Sequence, residues 1–288
     1  MKVDLHIHTV CSDGQFTAAE LMKKAAENKV EYLSFADGDH TLCLAAAKSE
    51  AAKYGINYIP GISIGAWCEQ YSLPIQLIGY YMDEKDSKLT KLIAQMWEEA
   101  AENVDRRIFA LKKENVNISV ERLRIFASEK YPNYPEKQIG ATVIRQFMEK
   151  YLKIETSAGQ YIYSLLAKYK VQLIQYHPYE EVLEALKSAE AKIVLAHPGL
   201  YEDKWNKTSH EVKEIILLVK KLGVTGLEAY TPYNTPFQQE SYAGFAKRND
   251  MFITSGSDYQ GYAETECKMG EQSCPDWLVN DLKAKFFK

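Results

Sequence analysis

Seven short β-type runs, most of them followed by a helical pattern, recur along this 288-residue chain. Period-two patterning predicts strands over Lys2 to His8, Glu31 to Ala36, Asn57 to Ile64, Ile75 to Tyr81, Lys192 to His197, Thr225 to Tyr230 and Met251 to Ser255. Helices are expected over Thr17 to Asn28, Thr41 to Tyr54, Glu180 to Ser188, Ser209 to Leu222 and Pro236 to Asn249. Thr17 and Glu20 have the spacing of a capping box, and Gly55 and Gly223 fall where helix C-caps are expected. Strand then helix, repeated, implies a parallel sheet with right-handed crossovers. About seven units are too many for a small open sheet and point to a barrel. The polar residues His6, His8, Asp37, His197, Glu228 and Asp258 all fall at strand ends or in the loops that follow, the rim where such barrels place their chemistry.

The rhythm breaks between Asp83 and Lys170. Long helical segments, Ser87 to Glu114, Val120 to Lys130 and Ala141 to Tyr151, follow one another with no clear strand, and the Y-P-N-Y-P run from Tyr131 to Pro135 reads as a turn. The domain organisation expected is therefore a β/α barrel formed by residues 1–82 and 171–288, with residues 83–170 inserted as a helical lid or specificity element over the barrel mouth. Arg106 and Arg107, inside the insertion, are candidates to reach a phosphate, with surface salt bridges the commoner fate of helix arginines and the expected one.

The opening K-V-D-L-H-I-H-T-V-C-S-D-G carries the sharpest chemistry. Val3, Leu5 and Ile7 alternate with Asp4, His6 and His8, so both imidazoles leave the strand on one face, about 6 to 7 Å apart. Two imidazoles at that spacing can converge on one ion, and Asp13 in the next loop adds a carboxylate. Such a mixed donor set suits Zn, Mn or Fe better than Ca or Mg. An isolated H-x-H is equally consistent with two polar residues on a half-exposed strand.

Composition narrows the class. A chain that is 46% hydrophobic and 26% charged buries a full core, and a net charge of −4 gives no basic field for an extended nucleic-acid backbone. No apolar run approaches the 18 residues of a membrane span, and the start of a strand at Lys2 leaves no room for a signal peptide, so a cytoplasmic location is expected. The cysteines, Cys11, Cys43, Cys68, Cys267 and Cys274, are odd in number and form no C-x-x-C pair. They are most simply reduced thiols.

The segments D-L-H-I-H-T with C-S-D-G, F-A-D-G-D-H-T, P-G-I-S-I, I-Q-L-I-G-Y-Y, L-A-H-P-G, G-L-E-A-Y-T-P-Y-N and S-G-S-D-Y-Q-G resemble, in order and spacing, those of the PHP (polymerase and histidinol phosphatase) superfamily. The resemblance implies a distorted seven-stranded β/α barrel, TIM-like, with a helical insertion of the kind found in its small stand-alone phosphoesterases. It also implies two or three Zn, Mn or Fe ions that activate water against a phosphate ester. His6, His8, Asp13, His197 and Asp258 match family metal ligands, with Asp13, His197 and Asp258 also carrying the catalytic roles.

Four positions depart from the family pattern. Gly38 replaces a ligand histidine, Ser63 the carboxylate that bridges two metals, and Gln76 and Gln260 two further histidines; Asn234 and Thr142 also stand where histidine is common. Glycine, a hydroxyl and neutral amides are poor ligands for these ions, so fewer than three are expected, and the four replacements are expected to line an emptied pocket. Asp37, Asp39 and His40 flank the change at Gly38 as rescue ligands, with Glu69 a weaker one; His177 and His210 read as a turn residue and a surface residue. Two functions stay open. One is a metal-dependent phosphoesterase with a reduced site, acting on a small phosphate ester or nucleotide. The other is a catalytically degenerate barrel kept for binding or regulation, with no membrane role.

Overall fold

The computed structural model describes residues 2–130, 139–151, 157–261, 268–271 and 274–287. The Y-P-N-Y-P turn and Cys267 lie outside these residues. In chain order the elements are β1 (Lys2–Ile7), α1 (Ala18–Glu27), β2 (Val30–Gly38), α2 (Leu44–Tyr54), β3 (Asn57–Tyr58), β4 (Gly61–Cys68), β5 (Leu73–Tyr80), α3 (Ser87–Lys112), α4 (Val120–Lys130), α5 (Ala141–Tyr151), α6 (Ala158–Lys168), β6 (His177–Pro178), α7 (Tyr179–Ser188), β7 (Lys192–Leu195), α8 (Gly199–Asp203), α9 (Ser209–Lys221), β8 (Gly226–Tyr230), α10 (Pro236–Arg248), β9 (Phe252–Ser255) and α11 (Asp276–Lys285). Helix starts follow local chemistry. Thr17, Thr208 and Thr235 cap α1, α9 and α10 in capping boxes with Glu20, Glu211 and Gln238.

The strands form one nine-stranded sheet with the path β1-β2-β4-β5-β7-β8-β9, to which β3 and β6 add at β2 and β4. Its two ends meet: Ile7 bridges Tyr259, and the His8 N–H donates to the Tyr259 carbonyl at 3.0 Å. The expectation of a wholly parallel sheet is corrected at β5, which runs antiparallel to both β4 and β7. The cause is the connection. A single 3-10 turn, Glu69–Tyr71, and Ser72 in the left-handed region (φ 51°) join β4 to β5, too short for the crossover that a parallel pair requires.

Apolar side chains from the strands and from α7, α9, α10 and α11 make the main core, with Leu5, Ile64, Leu77, Val194 and Leu227 at its centre. Helices α3 to α6 enclose a second core around Val104, Leu111, Phe126, Ile144, Phe147 and Leu165. α3 joins the two, because Leu89, Leu92, Ile93 and Met96 near its start pack into the main core. Among the described residues no helix is long and apolar enough to cross a membrane.

The expectation of reduced thiols is corrected as well: Cys11 and Cys43 form a disulfide, while Cys68 and Cys274 are free. The bond joins the loop after β1 to the loop after β2. Proximity of residues so far apart in sequence is a product of the sheet order, which a cysteine count does not contain.

Candidate metal centre

The β1 strand end delivers His6 and His8, and the loop after β9 delivers Asp258 to the same point. One atom from each lies within 4.8 Å of the other two, and all three residues are buried. The two imidazole Nε2 atoms are 3.2 Å apart, and Asp258 Oδ1 lies 2.8 Å from His8 Nε2 and 3.5 Å from His6 Nε2. Asp258 is held there in the left-handed region (φ 52°), as is His197 (φ 30°), strained backbone for residues with side chains. Gly256 permits the approach of the β9 end. A Cβ there would lie 2.3 Å from the His6 Cβ and 2.4 Å from Glu228 Oε1.

The outer nitrogens decide what the inner ones present. His6 Nδ1 is 3.0 Å from Glu228 Oε1, and His8 Nδ1 is 3.0 Å from Asp13 Oδ1, so each Nδ1 carries the proton and each Nε2 turns a lone pair inward. Two lone pairs and a carboxylate oxygen then face one another with no donor between them. That set fits a cation, and the carboxylate–histidine backing is how ligand imidazoles are oriented. Without an ion the same convergence attracts protons. Burial pushes the pKa of His8 down, but Asp13 and Asp258 outweigh it and hold it well above the ordinary histidine value. Burial likewise opposes the charge on Asp258, yet His6, His8 and His197 hold its carboxyl well below the usual range.

Glu228 and Asp4 are buried carboxylates that tie this floor together. Glu228 Oε2 accepts the His197 backbone N–H at 3.0 Å. Asp4 accepts the Ser257 and Gly270 N–H groups at 2.9 Å each, and burial pushes it up to about 6 despite these bonds. Sequence reasoning placed Glu228 at a strand end without a role and treated Asp4 only as part of the alternation. Asn234 carries out a similar task, accepting from the Gly199 N–H and donating to the Ala229 carbonyl at 2.8 Å each.

Above this floor opens a cavity of about 610 Å³, lined by His8, Asp13, His197 and three of the four replaced positions, Gly38, Ser63 and Gln76. Gln260 is not among the lining residues, and its backbone carbonyl accepts from the Gln15 N–H at 2.8 Å. Gln76 Nε2 donates to Ser63 Oγ at 3.0 Å, which turns its Oε1 toward His197 Nε2 at 2.5 Å. His197 therefore donates from Nε2, and its buried Nδ1 has no hydrogen-bond partner among the described residues. Burial lowers the His197 pKa, which keeps the ring neutral.

The rescue residues separate. Asp37 is consumed as an acceptor, taking the Thr9 N–H and hydroxyl at 2.7 Å each and the Ser12 hydroxyl at 2.6 Å. Asp39 and His40 line the cavity, and burial pushes Asp39 up to about 7 and His40 down to about 4. Glu69 accepts from Trp67 Nε1 at 2.6 Å and does not line the cavity. Thr142 and Tyr163, from α5 and α6, form part of its wall. His210 is an exposed surface residue, whereas His177 is buried between Glu99 and Glu181, contrary to its reading as a turn residue. Arg106 pairs with Glu102 at 2.6 Å, while Arg107 donates to the Asn103 carbonyl at 3.1 Å. A larger cavity, about 910 Å³, opens at the strand starts among Lys192, Lys247, Phe252 and Trp277, but it gathers no convergent donor set.

No family model matches the chain. Individual proteins do. It is 24% identical over 264 residues, 89% of this chain and 84% of the relative, to the 5'-3' exoribonuclease Rnm of Escherichia coli. It is 22% identical over 268 residues, 91% of this chain and 88% of the relative, to the 3',5'-nucleoside bisphosphate phosphatase of Chromobacterium violaceum. A solved structure from Bifidobacterium adolescentis, assigned as a metal-dependent phosphoesterase, has the same fold: TM-score 0.80 at 23% identity, covering 98% of this chain and 95% of that one.

Proposed function

We propose that the chain is a PHP-like metal-dependent phosphoesterase that hydrolyses a small phosphate ester, a nucleotide in the first instance, with a reduced metal site, a reading supported by its likeness to such proteins over most of its length. The observation that carries this reading is the convergence of His6, His8 and Asp258 to within 4.8 Å, with His8 also lining a cavity large enough for such a ligand. We read the closed sheet as the distorted seven-stranded β/α barrel of residues 1–82 and 171–288, with residues 83–170 inserted as one wall of the cavity.

In this reading His6, His8 and Asp258 hold one divalent ion of the Zn, Mn or Fe class, with Asp13 beside them. When bound, such an ion supplies a Lewis acid for a phosphoryl oxygen and lowers the pKa of water toward ~7. Glu228 and Asp13 keep the two imidazoles in the ligating tautomer. His197, neutral and with Nδ1 unpartnered, is placed to take a proton. Its Nε2 is committed to Gln76, so it serves as a ligand only through Nδ1. Lys204 contributes positive charge at the cavity wall, where a phosphate enters.

Metal analysis of the purified protein, together with hydrolysis of nucleoside phosphates, tests the proposal. About one equivalent of metal is expected, and Asp258→Asn is expected to lose both metal and turnover. A protein that hydrolyses these substrates equally well after full metal removal refutes it. The second reading, a binding or regulatory protein, is favoured by one observation: Ser63, Gln76 and His197 form a closed hydrogen-bonded set where the family resemblance places metal ligands. Tight nucleotide binding without turnover, at full metal loading, would select it.

A further inference from the structure

We propose that the rim of this cavity is a stacking platform for a nucleobase, formed by Tyr176 with Tyr163 and Trp205, so that the protein holds the base of its ligand as well as the phosphate. The inference rests on the phosphate-ester reading above and adds the part of the ester that this chain recognises.

The three rings are among the most exposed large apolar side chains of the described residues, at 52%, 66% and 43% for Tyr176, Tyr163 and Trp205, and all three line the same cavity. Aromatic faces left open to water inside a concavity are surface that a planar ligand covers. Tyr176 is seated rather than loose. Its ring lies on Gly65 of β4, where a Cβ would come within 2.6 Å of Cε1 and 2.8 Å of Cδ1, so only glycine admits the ring in this position. Gly65 pairs across the ladder with Gln76, which places the ring beside the polar floor. Asp13 and Asp39 line the same cavity as the ring. Tyr163 comes from the insertion helix α6. Trp205 follows α8, the short helix that begins just after His197.

The platform reads a flat face and not a base edge. The Gln76 amide, the neutral polar group best placed to read an edge, is already bonded to Ser63 and His197. Stacking on aromatic side chains tolerates any base and is worth roughly tenfold to hundredfold in affinity. Binding should therefore favour a nucleotide over the same sugar phosphate without its base, with adenine, guanine, cytosine and uracil within a few-fold of one another.

The test titrates the full-length protein as purified with adenosine 5'-monophosphate and with ribose 5-phosphate, following tryptophan fluorescence and, in parallel, calorimetry. The nucleotide is expected to bind at least tenfold more tightly and to quench fluorescence, with the quench lost in Trp205→Phe. Tyr176→Leu should reduce the ratio of the two affinities roughly tenfold, and Tyr176→Phe should preserve it. Gly65→Ala reaches the same result by another route, since its methyl displaces the ring while leaving every aromatic residue in the chain. Equal affinities for the two ligands, or a ratio untouched by Tyr176→Leu and Gly65→Ala, overturn the inference. Base-dependent binding without hydrolysis of either compound sinks the catalytic reading and leaves this one standing; equal hydrolysis of both with no base dependence does the reverse.

Discussion

Glutamine at position 228 keeps the shape of Glu228 and removes one acceptor, and the surrounding bonds set the cost. Glu228 Oε1 accepts from His6 Nδ1 and Oε2 from the His197 backbone N–H, each at 3.0 Å, with Glu228 and His6 fully buried. A glutamine has one oxygen to offer. If that oxygen keeps His6, the amide NH₂ faces the His197 N–H, and a buried donor is left unpaired at a cost of about 1 to 3 kcal/mol. With about 2 to 4 °C per kcal/mol for a chain approaching this size, the melting temperature of the metal-free protein should fall by several degrees. If the oxygen keeps the backbone, the NH₂ donates to His6 Nδ1, which drives the ring proton to Nε2 and removes the lone pair that faces His8 and Asp258. In that second case the ligand set loses its orientation, and loss of such a backing carboxylate typically weakens metal binding by ~10- to 100-fold. Competition for zinc against a fluorescent chelator measures the affinity, and a thermal melt of chelator-treated protein measures the stability. A Glu228→Gln protein that binds zinc within twofold of the parent and melts at the same temperature would show that neither bond orients His6.

His177 supplies a pH dependence of known sign. Burial opposes its charge, but the Glu181 and Glu99 carboxylates on its two nitrogens raise its pKa above the ordinary value of 6.5. Its stabilisation is therefore full below pH 6.5 and lost as pH rises through the higher folded value, so His177→Gln should lower the melting temperature more at pH 6 than at pH 9; an equal loss at both refutes the assignment. Cys11 and Cys43 close a loop with a sequence separation of 32, worth roughly 3 to 4 kcal/mol in the chain-entropy account, so Cys43→Ser should lower the denaturation midpoint, and labelling of five free thiols in the native oxidised protein would remove the premise. Ser63→Glu with Gly38→His and Gln76→His should raise metal stoichiometry, since a Cβ at Gly38 meets nothing nearer than 3.8 Å, while single replacements do little; metal analysis decides, and a triple variant that stays at one equivalent counts against a missing second site.

The parts legible in the sequence were those written in local chemistry. The capping box of Thr17 and Glu20 fixed the start of α1, and the alternation of Lys2 to His8 placed His6 and His8 on one face, which is the geometry they have. The antiparallel course of β5 was also written there, since no helical pattern separates the strands around Ile64 and Ile75. The repeated strand–helix units elsewhere in the chain mask this one exception. Other features depend on distant segments meeting. Glu228 is one buried polar residue among several until Gly256 lets β9 pack against His6, and the Cys11–Cys43 pair needs β1 and β2 to lie side by side. The replaced positions show the same limit. Gly38, Ser63, Gln76 and Gln260 look alike as missing ligands, yet Ser63 and Gln76 form a bonded network that holds His197, Gly38 leaves room, and Gln260 is not among the cavity's lining residues. A ligand lost from a sequence motif is therefore not one kind of event: a side chain that takes over the hydrogen bonds of the old ligand preserves the shape of the site, and the retention of that shape around His197 is a physical reason to test this cavity for a bound phosphate ester before calling it vestigial.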